Sequence, residues 1–138
     1  MNMRFLPLLL LALSLLAAGC FRTASVATPS GGSAAAVNQA NFTVQDMREA
    51  IFKGCADRNW RAVDIDASTI EATNTVRNKH TVVVSIPYTA ENYSINYKSS
   101  TNMGYKPKAD GTYSIHPNYN NWVGNLDRSI RIRIAEKK

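Results

Sequence analysis

Hydrophobic positions along this chain change their period several times, and each period predicts a different element. Phe5 to Leu16 is an apolar run behind one charge, Arg4, and it ends in the small residues Ala17-Ala18-Gly19 before Cys20. A bilayer span needs about 20 apolar residues, so this run predicts an export signal over residues 1–19, removed before Cys20, rather than a retained transmembrane helix. From Phe21 to about Asn41 no period is visible. The residues are Ala, Ser, Thr, Gly and Asn with one proline and almost no charge. Such a stretch buries too little apolar surface to order itself, which predicts a flexible linker over residues 20–41. Its random-coil reach would be roughly 25 Å.

Residues 42–138 carry the periodic patterns of one folded domain. Thr43 with Asp46 three residues on predicts a helix N-terminus, with Phe42 and Met47 placed to staple across it. Val44, Met47, Ile51 and Cys55 then share one helical face, while Arg48, Glu49, Lys53 and Asp57 lie elsewhere. Gly54 weakens the last turn, and the helix is expected to end near Asp57. After Trp60 the period drops to two. Ala62 to Ile65, Thr69 to Val76, Thr81 to Tyr88 and Tyr93 to Ser99 all alternate as half-buried strands do.

Register follows from which pairing keeps the apolar members on one face. A three-residue loop, Arg77-Asn78-Lys79, pairs Ile70 with Ile86, Ala72 with Val84, Asn74 with Val82 and Val76 with His80. A two-residue loop would set Val82 and Val84 against threonines instead, and a one-residue slip turns every side chain over. The next loop, Thr89 to Asn92, pairs Tyr88 with Tyr93, Ile86 with Ile95 and Val84 with Tyr97. Ser100 to Ser114 reads as a loop. His116-Pro117 then opens a second helix whose stripe is Tyr119, Trp122, Val123, Leu126, Ile130 and Ile134. The predicted fold class is α+β: a two-layer domain with a three- to four-stranded antiparallel meander and an N-terminal and a C-terminal helix on one face.

Composition narrows the setting. The 138-residue chain has a formal charge of +6 and two cysteines. An exported, mildly basic protein meets anionic lipid headgroups and cell-wall polymers rather than nucleic acid, so no nucleic-acid partner is expected. With Cys20 at the cleavage site, Cys55 has no intrachain disulfide partner and reads as a small buried hydrophobe.

Catalytic signatures are absent: there is no Gly-x-Ser-x-Gly, Ser-x-x-Lys or His-Glu-x-x-His and no phosphate loop. Two histidines far apart in sequence do not make a zinc site, so neither metal nor cofactor is expected. The unusual stretch is Tyr93 to Trp122, dense in Tyr, Asn and Ser, the side chains that stack on and hydrogen-bond sugars or peptides. The register places Asn74 and His80 on the apolar face and Ser99 opposite Val82. Together with His116, Tyr119 and Asn120 at the start of the second helix, they form a candidate recognition site. The alternative role for the same residues is a buried polar network that fixes the fold.

Two resemblances add to this. Leu16-Ala17-Ala18-Gly19-Cys20 resembles a bacterial lipobox, with Ala17 three residues before the cysteine where leucine is commonest. The resemblance implies acylation of Cys20 and, with Phe21 rather than aspartate following, the periplasmic face of an outer membrane. The run Arg77-x-x-His80, Tyr93-Ser94-Ile95-x-Tyr97-x-x-Ser100 and Ile115-His116-x-x-Tyr119-Asn120-x-Trp122-x-x-x-Leu126 is similar to a family of small proteobacterial outer-membrane lipoproteins of unassigned activity. It covers about residues 43–134 and implies the α+β fold and the anchored location, with no catalytic residues. The expected function is a lipid-anchored, non-enzymatic binding module for an envelope protein or a cell-wall glycan. The alternative is a small envelope hydrolase using His80 or His116.

Overall fold

A computed structural model describes residues 22–32 and 41–137. The expected signal and the acylation site at Cys20 lie outside the described residues. The described elements run β1 (Ala24–Ser25), β2 (Ser30–Gly32), α1 (Val44–Asp57), β3 (Arg61–Asp66), β4 (Thr69–Val76), β5 (His80–Pro87), β6 (Asn92–Ser94), β7 (Asn96–Thr101), β8 (Lys106–Pro107), β9 (Tyr113–Ile115) and α2 (Asn118–Glu136). The fold is α+β, with two helices and antiparallel sheets.

Helix α1 begins as its sequence predicts. Asp46 N–H donates to the Thr43 hydroxyl (3.1 Å) and Thr43 N–H donates to the Asp46 carboxylate (2.8 Å), a reciprocal capping box. Met47, Ile51 and Cys55 are fully buried, but Val44 is 48 % exposed. The reason is position: Val44 stands in the first turn and lines an open hollow with Gln45, Arg48 and Tyr88. Gly54 is where α1 meets α2. A Cβ there would lie 2.7 Å from Ile130 Cγ1 and 2.9 Å from Ile130 backbone, so only glycine allows this approach.

Strands β3, β4, β5 and β7 form a four-stranded sheet in that order. The β4–β5 register is the expected one throughout, Ile70 with Ile86 to Val76 with His80. Arg77 and Asn78 take φ of 55° and 51°, and Lys79 N–H closes the turn onto the Val76 carbonyl at 3.1 Å. Tyr88 bridges Tyr93 and Val84 faces Tyr97 as expected. The expected fourth strand is broken at Ile95, whose N–H donates to the Pro29 carbonyl at 2.8 Å.

Two expectations are corrected. Val83 pairs with Ser99 and Val84 with Tyr97, so Lys98 is an extra residue in β7. This bulge moves Ser99 off the apolar face and sets Ser100 opposite Val82. Second, residues 22–32 are not a free linker. Strand β1 pairs with β9, and β2 pairs with β6. Val26 and Ala27 pack on the core, and Gly31 lies flat against the Tyr93 ring, where a Cβ would come within 2.3 Å. The predicted loop 100–114 accordingly contains β8 and β9, which make a three-stranded sheet with β1.

Candidate binding site at the tyrosine stack

Three tyrosines, from β7, the segment before β8, and β9, form one column. Tyr97 on β7 stacks on Tyr105 (ring centroids 4.0 Å apart, planes 15° apart), and Tyr105 stacks on Tyr113 of β9 (5.0 Å, 2°). Tyr119 meets Tyr97 edge-on at 5.7 Å. The column runs outward. Tyr119 is fully buried, Tyr105 is 38 % exposed and Tyr113 is 46 % exposed. Offset parallel rings of this kind attract through their quadrupoles and apolar area. Loss of water, then the neighbouring Tyr113 and Tyr97 rings, raises the Tyr105 hydroxyl above the ordinary tyrosine value.

Beside the column is a cavity of about 270 Å³ lined by Arg22, Thr23, Asn102, Met103, Gly104, Tyr105, Lys106 and His116. Its lining holds two cations and no carboxylate. Both histidines are attached to its wall. His80 Nδ1 lies 2.8 Å from the Asn102 carbonyl, and Asn102 Nδ2 donates to the Lys79 carbonyl at 2.8 Å. His116 N–H donates to the Met103 carbonyl at 2.8 Å. His116 Nδ1 accepts from Asn118 N–H at 3.2 Å, which satisfies one of the open donors in the first turn of α2. Both ring contacts are thus with backbone groups.

The six expected site residues are therefore divided. His80 and His116 are brought to adjacent residues of one loop, though each bonds the loop or the helix rather than the other histidine. Asn74 is buried on β4 opposite Val82. Ser99 has left this face, and Ser100 replaces it, with its hydroxyl 2.9 Å from the Tyr97 hydroxyl. Asn120 is a clamp on the N-terminal segment: its Oδ1 accepts from Ala27 N–H (3.0 Å) and its Nδ2 donates to the Ser25 carbonyl (2.8 Å). Tyr119 keeps a buried hydroxyl with no hydrogen-bond partner. Sequence reasoning missed Arg22, Met103 and Lys106 as cavity walls. It had marked Tyr97 and Tyr105 only through the density of tyrosine.

The same segment is held at a second point. The Tyr93 hydroxyl donates to the Asp127 carboxylate at 2.6 Å, Asp127 pairs with Arg131 at 2.8 Å, and Arg131 donates to the Ser30 carbonyl at 2.8 Å. Cys55 is buried, and burial pushes its thiol up to about 12, which leaves almost no thiolate at neutral pH. Among the described residues no cluster of metal-ligating side chains occurs, and no helix is long and apolar enough to cross a membrane. No family model, curated protein or solved structure matches this chain.

Proposed function

We propose that this protein is a lipoprotein of the outer membrane, acylated at Cys20, facing the periplasm, and acting as a non-enzymatic binding module. Its recognition surface is the exposed outer end of the Tyr97–Tyr105–Tyr113 column. The observation that carries this reading is that column: two of its rings, Tyr113 on β9 and Tyr105 just before β8, are substantially exposed, where nothing in the described core requires them. Rigid aromatic faces beside hydroxyl and amide groups suit a glycan ring or a peptide aromatic, so the partner is an envelope protein or a cell-wall glycan. Both helices cover one face of the four-stranded sheet in this reading, because the buried residues of α1, α2 and the sheet belong to one apolar cluster. The hydrolase alternative receives less support. A general base needs a reacting group or an orienting acid within reach, and the His80 and His116 ring contacts described above are to backbone.

In-cell photocrosslinking followed by mass spectrometry tests the surface. Tyr113→Ala is expected to abolish capture of the partner while shifting stability by less than about 1 kcal/mol, since the ring is half exposed. Unchanged capture would move the site elsewhere.

A further inference from the structure

We infer that the docked N-terminal segment seats the domain directly on the anionic headgroups of the membrane that holds its acyl chains. The end built from Arg22, the Arg77-Asn78-Lys79 turn and Lys106 faces the bilayer. The inference rests on acylation of Cys20 and adds an orientation to it.

Covalent reach is the first argument. Arg22 and Thr23 line the cavity with Asn102, Lys106 and His116. Cys20 is two peptide steps before Arg22, at most about 7 Å of extended chain. The acyl chains are therefore tied to this end of the domain. No slack is released further on: β1 on β9, the Asn120 clamp and β2 on β6 hold the segment from Ala24 to Gly32.

Charge is the second argument. Arg22, Arg77, Lys79 and Lys106 are all exposed, and none has a salt bridge among the described residues. Elsewhere Arg48, Arg131, Arg133, Lys137 and Lys98 each have a carboxylate partner, Arg58, Lys108 and Arg128 donate to Ser129, Ser25 and Asn125, and Lys53 and Arg61 are exposed without a salt bridge, so charge supports the end that covalent reach selects. The β4–β5 turn belongs to the same end because the Lys79 carbonyl and His80 are both bonded to Asn102, a cavity residue. Asp110, in the turn after β8, is occupied by the Thr112 N–H and hydroxyl. Unpaired cations at a surface tied to acyl chains suit phosphatidylglycerol-type headgroups.

Strand β5 gives the scale for a test. Its two ends, next to Thr101 and next to the 89–92 loop, are about 23 Å apart at a rise of about 3.3 Å per residue. The acylated full-length protein, carrying a dye at Thr101→Cys or at Glu91→Cys, is reconstituted in vesicles of phosphatidylethanolamine and phosphatidylglycerol with a headgroup-labelled acceptor lipid. Energy transfer from position 101 is expected to exceed that from position 91 by roughly threefold or more, given that separation. The charge-reversed Arg22→Glu/Lys79→Glu/Lys106→Glu chain, or vesicles of phosphatidylcholine alone, is expected to reduce the difference. Asn120→Ala, which frees the clamp, is expected to reduce it with the charges intact. Equal transfer from both positions in an acylated sample overturns the seating and leaves the anchor standing. A sample whose mass shows no acyl groups overturns the anchor, and the seating with it.

Discussion

The hydroxyl of Tyr119 is enclosed without a hydrogen-bond partner, and loss of water raises its pKa well above the ordinary tyrosine value. An unsatisfied buried hydroxyl costs about 1–3 kcal/mol, so Tyr119→Phe is expected to raise stability by about 1 kcal/mol in urea unfolding. A loss of stability would show that the hydroxyl is paired in solution. Cys55 gives a pH dependence of definite sign. Its folded value is raised from 9.0 to about 12 by burial, so the thiol contributes stability in full below about pH 9, and that contribution is lost as pH rises toward 12. Unfolding followed from pH 8 to 11 is expected to show falling stability that Cys55→Ala flattens; identical slopes would place the thiol in water. At this scale the sequence was readable where one residue's environment follows from spacing, as for Met47, Ile51 and Cys55. It was unreadable for Val44, because helical phase does not say that the first turn stands beside an open hollow.

Among elements, the β4–β5 hairpin was legible to the last pair because period-two burial leaves only one register with the apolar residues together. Strand β7 was legible only as far as Tyr97. The bulge at Lys98 opposes two residues to one, and alternation along a single strand contains no sign of that. The N-terminal segment was misjudged for a different reason. Its order comes from partners outside it: the edges of β9 and β6, the Asn120 amide and the Arg131 guanidinium. Composition measures what a segment can bury by itself, and this one is held mostly through backbone groups. Deleting residues 22–32 uncovers the core around Val26 and Ala27 and leaves the Asn120 amide and the Ile95 N–H without partners. Each lost hydrogen bond is worth about 1 kcal/mol net, and backbone ordering offsets part of the sum. The expected result is a loss of at least about 2 kcal/mol and a fall in Tm of more than about 5 °C. A melting temperature unchanged by the deletion would mean that the segment is only loosely docked.

For the whole molecule, magnitudes decide whether lipid or charge holds the protein to a membrane. A cation near an anionic leaflet contributes about 1 kcal/mol, so Arg22, Arg77, Lys79 and Lys106 together give about 4 kcal/mol, a millimolar affinity that salt weakens further. An acyl chain contributes about 0.8 kcal/mol for every buried methylene, and two or more chains make residence stable. In the proposed arrangement charge therefore orients the domain and lipid retains it. Cys20→Ser removes the proposed acylation point and keeps the basic end. At physiological salt this variant, with its signal cut as judged by mass, is expected in the soluble fraction. In low salt it is expected to bind phosphatidylglycerol vesicles weakly and phosphatidylcholine vesicles hardly at all. A processed Cys20→Ser chain that stays with the membrane at physiological salt would defeat the lipid anchor, because four exposed cations are too weak to hold it there.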